Sequence, residues 1–176
     1  ARMGWQPRRS PRAEERTAAV VSGRGLAYVH YKHEETIVAM AMEVAVERAT
    51  GRIRVTRVVA AQDCGLMINP DCVHAQVEGN ILQTLSRALH EEIVYDRDRV
   101  TTMDWASYPI LTFPEVPRLE FELIQRLDQP PLGVGEAAST PVGAALANAV
   151  FDATGARLRT IPFRPERVKA ALAGKG

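Results

Sequence analysis

The chain has 176 residues, 46% of them hydrophobic, so it can fill one ordinary domain and bury a core, which excludes a wholly disordered protein. Its 22 basic residues nearly balance 21 acidic ones, and a formal charge of +1 argues against a nucleic-acid-binding or acidic-lipid-binding surface. The two cysteines, Cys64 and Cys72, form no C-x-x-C pair, and no apolar run reaches the ~18–20 residues that span a bilayer.

The first 22 residues are predicted to be a linker or a truncated connecting segment. Residues 1–16 contain five arginines and two prolines but few apolar side chains. This composition is typical of an exposed linker, or of a connecting strand separated from its neighbours, although a basic arm is the alternative. The uninterrupted apolar segment of a secretory signal is missing from this stretch.

A long β-hairpin is predicted next, within a pattern that becomes strand-like from Gly25. Residues 36–46 alternate between a Val/Met set and a set of small and acidic residues, which indicates a strand with one buried face. Gly51 suits the turn because glycine adopts positive φ without steric cost. β-Branched residues in 53–61 predict the returning strand.

The Asn69-Pro70-Asp71 sequence is a helix-entry signal, and residues 72–93 are predicted to form a long helix. One face of this helix is broadly apolar. The opposite face carries a narrow polar stripe, formed by Gln76, Asn80, Gln83, Arg87 and His90.

The second half of the chain is predicted to contain a strand at residues 119–127, a tight loop at 130–135 and a helix rich in small residues that ends near Gly155. Thr140 suits the N-cap of that helix and Pro141 its first position. A short strand at 157–161 and a final helix at 165–172 complete the pattern. Strands and helices do not alternate regularly, so the predicted fold class is α+β, with a long hairpin, a buried long helix and a small-residue helix.

Glu136 is the strongest candidate for a catalytic residue. It follows Gly133-Val134-Gly135, and two nearby glycines permit the backbone to approach a ligand closely. The helix predicted after it would supply unpaired N–H groups and a partial positive charge suited to an anion. A carboxylate in this place could act as a general base. The alternative is an exposed or capping glutamate after a turn.

Gln76 is the second candidate, because its stripe offers amide donors and acceptors to a polar ligand such as a pterin or a nucleotide. The alternative is a solvated helix face. Glu78 lies towards the apolar side of the helix and is interpreted as structural, paired with another group if it is buried.

The remaining reactive residue types do not form recognisable sites. The spacing of the histidines predicts no metal pair, and the cysteines are expected to be buried thiols or bystanders. Ser86 and Ser139 lack the G-x-S-x-G context of a serine hydrolase. The histidines are therefore interpreted as ordinary surface or core residues; they are His30, His33, His74 and His90.

Several motifs, taken in order, resemble the xanthine dehydrogenase/aldehyde oxidase family over about residues 23–168. More closely, they are similar to the molybdopterin-binding large subunit of the bacterial branch that includes isoquinoline 1-oxidoreductase and nicotinate dehydrogenase. The motifs are AQDCG (61–65), INPD (68–71), QVEG (76–79), WASYPIL (105–111), PLGVGEAA (131–138), ANAVFDATG (147–155) and RLR (157–159).

The resemblance implies a molybdenum-dependent hydroxylase that oxidises an N-heteroaromatic or aldehyde carbon with oxygen derived from water. By this resemblance Glu136 is the base that takes a proton from a metal-bound hydroxyl, and Gln76 hydrogen-bonds the pterin. The backbone of Val134 and Gly135 would line the metal pocket. The implied cofactor is the molybdopterin cytosine dinucleotide form, with [2Fe–2S] clusters on a separate small subunit.

The resemblance also implies that residues 23–176 are the C-terminal portion of a molybdopterin-binding domain, completed by the remainder of the large subunit. We therefore expect the isolated chain not to bind the cofactor stably. The alternatives are a split or vestigial fragment that acts only in assembly with a partner chain, and a free-standing ligand-binding α+β domain. Asn80 and Thr84 replace the glycines of many relatives, which could change how the helix meets the cofactor. The substrate and the compartment, cytoplasm or periplasm, stay open.

Overall fold

A four-stranded sheet with helices packed against it forms the framework, in a computed structural model that describes residues 3–11 and 18–174. The predicted α+β class is confirmed. Single-turn 3₁₀ helices occur at Phe113–Glu115 and Ala137–Ser139. The longer elements are β1 (Val20–His30), β2 (Ile37–Glu47), β3 (Ile53–Asp63), α1 (Pro70–Leu89), β4 (Arg118–Ile124), α2 (Val142–Thr154) and α3 (Pro165–Leu172).

The sheet has the order β1-β2-β3-β4, in which the first three strands are antiparallel and β4 runs parallel to β3. The predicted hairpin is β2–β3, and Gly51 in its turn has a φ of 79°. The predicted alternation is also confirmed, since one set of β2 side chains lies in the core: Val38, Met40, Met42, Val44 and Val46.

Helix α2 packs with its backbone almost directly on β1. A Cβ atom added to Gly25 would lie 2.1 Å from the Ala145 carbonyl oxygen, and one added to Gly23 would lie 2.3 Å from that of Ala149. Small residues therefore face one another from both elements. This explains the small-residue composition of α2, which predicted close backbone approach.

Helix α1 begins at Pro70, where the Asn69 side chain accepts a hydrogen bond from the Cys72 N–H at 3.1 Å, so the entry signal is confirmed. Its predicted end at residue 93 is wrong, because the helix stops at Leu89. Past Leu89 the Glu91 N–H donates to the Ser86 carbonyl at 3.2 Å, outside the helical i→i−4 pattern, and the Ala88 carbonyl accepts the N–H of Phe163 at 2.7 Å. The predicted apolar face of α1 is the face that is buried.

Three other boundaries differ from the sequence interpretation. Residues 20–22, assigned to the connecting segment, are the first positions of β1, and β4 occupies Arg118–Ile124 rather than 119–127. Residues 157–161 form no strand, because this stretch pairs with neither edge of the sheet. The Arg157 guanidinium lies over the Phe151 ring at 3.5 Å.

The described part of the N-terminal segment, residues 3–11, is mostly exposed, and the contacts that hold it on the fold include an ion pair and the Arg24 guanidinium over the Trp5 ring. Arg8 contacts the buried Asp152 of α2 through two hydrogen bonds of 2.8 and 2.5 Å. The Arg24 N–H donates to the same carboxylate at 2.9 Å. Arg2, Arg12 and Arg16 lie outside the described residues. In the ranges that the structure covers, no helix has the length and apolarity to cross a membrane.

Candidate functional site

The polar stripe of α1 and the loop that carries Glu136 are in direct contact. The Asn80 side-chain amide donates a hydrogen bond to the Gly135 carbonyl at 3.1 Å. Asn80 lies one helical turn after Gln76 on the same stripe. The structure therefore brings the helix of one sequence-predicted site residue against the loop of the other.

The loop is fastened to the sheet as well as to the helix. The Thr36 hydroxyl, buried at the start of β2, donates to the Gly133 carbonyl at 2.6 Å. The Leu132 N–H donates to the Cys64 carbonyl, just after β3, at 2.9 Å. These bonds fix the backbone on the N-terminal side of Glu136, so the position of its Cα is set by the fold.

The Glu136 carboxylate is exposed and accepts a hydrogen bond at Oε1 from the Tyr31 hydroxyl. This hydrogen bond, with a smaller contribution from burial, raises the pKa of Tyr31 to about 12. No second hydrogen bond reaches the Glu136 side chain from the residues that the structure describes. Oε1 is therefore held, and Oε2 is open to another group.

The helix expected directly after Glu136 is different from the prediction. Ala137–Ser139 form a single 3₁₀ turn, and α2 begins only at Val142. The prediction that Thr140 caps α2 is wrong, because its hydroxyl donates back to the Ala137 carbonyl at 2.8 Å. Pro141 precedes α2 instead of occupying its first position. The partial positive charge of α2 therefore does not lie at Glu136.

The three predicted cofactor contacts differ in exposure. The Gln76 side chain is exposed and has no hydrogen-bond partner among the described residues, so it is available to a ligand. Gly135 is also exposed, whereas the Val134 side chain packs against the core. The prediction for Val134 concerns its backbone and stays a prediction.

The other singled-out residues form no additional centre. Among residues 3–11 and 18–174, no group of three or more His, Cys, Asp or Glu side chains could hold a metal ion. Cys64 is buried and Cys72 exposed, and His33 lies in the β1–β2 turn with a φ of 68°. Glu78 lies towards the apolar side of the helix, but its side chain is half-exposed. Its Oε2 lies 3.8 Å from Nδ1 of His74.

Two glycines give a test of whether this surface fits a cofactor. Gly79 and Gly135 do not have positive φ, and a Cβ added to either would meet no atom within 4 Å. Neither backbone conformation nor packing against described residues therefore requires glycine there. Open space beside both, next to the exposed amide of Gln76, fits a polar group lying over α1 and the loop.

Sequence reasoning missed Tyr31 and Thr36, which hold Glu136 and its loop. Tyr31 lies 105 residues before Glu136. Neither residue belongs to a local motif, and only the pairing of β1 with β2 brings both to the loop. Asn80, singled out in the sequence as a member of the polar stripe and as a departure from the relatives, is the link between helix and loop.

The helix face with open amides thus lies beside a glycine-bordered loop that ends in a carboxylate. Residues 22–117 match the model of the molybdopterin cofactor-binding domain, more than half of the chain. The chain belongs to this family.

Named relatives agree with this assignment and confirm the resemblance described above. A nicotinate dehydrogenase subunit of Pseudomonas putida is 44% identical over 181 residues, which cover 99% of this chain and 15% of the relative. The beta subunit of isoquinoline 1-oxidoreductase from Brevundimonas diminuta is 35% identical over 150 residues, or 85% of this chain and 19% of the relative.

A solved structure has the same fold. Quinoline 2-oxidoreductase from Pseudomonas putida 86 superposes with a TM-score of 0.73 at 31% identity, covering 80% of this chain and 19% of the other. The chain thus spans less than a fifth of the length of these relatives.

Proposed function

We propose that this chain forms one wall of the cofactor site in a molybdenum-dependent hydroxylase, with Glu136 as the base. The observation that carries the proposal is the hydrogen bond from Asn80 to the Gly135 carbonyl. It joins the helix that bears Gln76 to the loop that bears Glu136, in a chain of the molybdopterin cofactor-binding domain family. Cofactor contact and base thus belong to one rigid surface.

Gln76, Gly135 and the backbone of Val134 are the residues that would hold the cofactor. The amide of Gln76 can both donate and accept hydrogen bonds, which suits a pterin ring edge. Gly135 leaves the space that a close approach needs. When bound, the molybdenum cofactor supplies the two-electron oxidation of the substrate. We assign its molybdopterin cytosine dinucleotide form, following the resemblance to the bacterial branch.

Glu136 would accept the proton of the water whose oxygen enters the product. A base must carry an open acceptor atom within hydrogen-bond reach of that proton. Oε2 is such an atom, because the Tyr31 hydrogen bond is made to Oε1. The substrate class is an N-heteroaromatic ring or an aldehyde, and the names of the nicotinate, isoquinoline and quinoline relatives support the first of these.

The remainder of the large subunit and a small [2Fe–2S] subunit are the proposed protein partners. Two named relatives are themselves subunits, one of a nicotinate dehydrogenase and one of an isoquinoline 1-oxidoreductase. The segment between α1 and β4 exposes Trp105 by 76%, Met103 by 78% and Phe113 by 92%. Side chains of this size, exposed together beside an apolar groove of about 530 Å³, are typical of a surface that another chain or domain covers.

The cofactor wall is tested with Gln76→Ala in the full-length subunit assembled with its partner. We expect molybdenum to be lost faster than from the wild type on dialysis, because one pterin contact is removed. Gln6→Ala is the matched control, since Gln6 is an exposed glutamine of the N-terminal segment and does not belong to the polar stripe. Equal molybdenum retention in all three proteins would remove Gln76 from the site.

The role of the base is tested with Glu136→Gln, which keeps the shape of the side chain but cannot take the proton. Turnover should fall by roughly 10²–10⁴-fold, the usual contribution of a general base, while molybdenum stays bound. Glu166→Gln is the control, because Glu166 is an exposed glutamate in the first turn of α3. Wild-type turnover in Glu136→Gln with molybdenum bound would overturn the assignment.

A further inference from the structure

We propose that Tyr31 is a positioning residue for Glu136: its hydroxyl holds one carboxylate oxygen so that the other is presented as the proton acceptor. This inference rests on the proposed function, because it assigns the base a partner. The observation behind it is the hydrogen bond from Tyr31 to Oε1 of Glu136.

Tyr31 is itself held firmly by the turn between β1 and β2. Its N–H donates to the Thr36 carbonyl at 2.9 Å, and its carbonyl accepts the Glu35 N–H at 3.0 Å. Its ring is partly buried against the core, with the Lys32 ammonium 5.1 Å from the ring centre. A tyrosine with a fixed backbone and a packed ring has only two side-chain torsions, so its hydroxyl is a rigid reference point.

The same turn fastens the loop of Glu136 twice. Thr36 holds the Gly133 carbonyl at 2.6 Å, and Tyr31 holds the side chain of Glu136 itself. The first bond places the backbone and the second restricts the carboxylate, whose exposed side chain would otherwise sample several rotamers. The turn therefore orients the base as well as the loop.

The direction of this hydrogen bond is fixed by charge. The contact with Glu136, and secondarily burial, raises the pKa of Tyr31 to about 12, so its hydroxyl keeps its proton at neutral pH. It therefore acts as a donor to the carboxylate, while Oε2 has no hydrogen bond from any described residue.

The kinetic test uses the full-length subunit assembled with its iron–sulfur partner, assayed with nicotinate, isoquinoline and benzaldehyde. Tyr31→Phe removes only the hydroxyl, and we expect kcat to fall roughly tenfold, as for loss of one hydrogen bond to a charged group. KM should stay within about twofold, because Tyr31 is not proposed to touch the substrate. Tyr28→Phe is the control, since Tyr28 lies on β1, three residues before Tyr31, and is 63% exposed.

A double-mutant cycle separates positioning from a general structural role. If Tyr31 acts through Glu136, Tyr31→Phe should have no further effect on single-turnover rates in the Glu136→Gln background. Equal losses in both backgrounds, or unchanged kcat in Tyr31→Phe alone, would overturn the inference.

A measurement independent of turnover reads the contact directly. In 3-fluorotyrosine-labelled protein, the ¹⁹F signal missing from Tyr31→Phe identifies Tyr31. This signal should shift in Glu136→Gln and not in Glu166→Gln, and an unshifted signal in Glu136→Gln would contradict the contact. If instead Glu136→Gln keeps wild-type turnover with molybdenum bound while the Tyr31 signal shifts, the proposed function fails and the contact stands, but Tyr31 then has no base to position.

Discussion

Replacing Gly25 by alanine should destabilise the fold, because β1 and α2 leave no room for a methyl group. The added Cβ would lie 2.1 Å from the Ala145 oxygen and 2.3 Å from the Ala149 nitrogen, whereas real Cβ atoms essentially never come within 3.0 Å of such atoms. Both obstacles are backbone atoms, so the helix must move away from the sheet. Overpacking of this kind costs about 1–3 kcal/mol, and we expect the upper end of that range.

The matched control is Gly143→Ala in α2, where an added Cβ meets nothing within 4 Å. Alanine is the better helix former by about 0.5–1 kcal/mol, so this variant should be slightly more stable than the wild type. Urea unfolding followed by circular dichroism measures both free energies of unfolding. A Gly25→Ala protein as stable as the wild type would refute the close packing of α2 on β1.

Three further predictions concern the ion pair, the loop and the cofactor. Burial alone would raise the pKa of Asp152, but hydrogen bonds from Arg8 and a backbone N–H outweigh it and lower that pKa. The Asp152→Asn protein should therefore be less stable than the wild type by about 1–3 kcal/mol at pH 7 in urea unfolding, whereas the exposed Asp98→Asn control should be neutral. This difference in stability from the wild type should shrink only below about pH 4, the ordinary pKa of aspartate, where the native carboxylate becomes protonated. Equal stabilities at pH 7 would contradict the ion pair. Asn80→Ala should speed amide hydrogen exchange around Gly135 with little change in global stability, because better helix propensity offsets the lost hydrogen bond; unchanged exchange would count against the link. The isolated 176-residue chain should purify without bound molybdenum, and stoichiometric metal by elemental analysis would show that it needs no other segment.

The hairpin and the core face of β2 could be predicted from the sequence because each depends on local periodicity. The side chains of Val38 and Met40 alternate with smaller ones, and a strand with one buried face requires that pattern. The entry of α1 was equally predictable, since Asn69 caps it through its own side chain. The end of α1 was not, since the turn after Leu89 packs through contacts such as the hydrogen bond from the Phe163 N–H to the Ala88 carbonyl. That contact joins residues distant in the sequence, and no local pattern reports it.

The candidate site could likewise be predicted from the sequence only in part. Glu136 is a candidate because of the glycines before it, and Gln76 because of the polar stripe of α1. The family resemblance then implies their roles as base and pterin contact. Tyr31 could not be found, since its importance depends on the turn that follows β1 and on the loop folding against it. The absence of a strand at 157–161 likewise depends on which sheet edge is free, which only the assembled fold determines.

The most direct test of the whole account is turnover per bound molybdenum in the Glu136→Gln holoenzyme. We expect the variant to contain as much molybdenum as the wild type, because the cofactor wall remains. Its rate should be lower by at least roughly a hundredfold, because the proton acceptor is gone. A rate per molybdenum within a few-fold of the wild type would contradict the claim that this chain supplies the base.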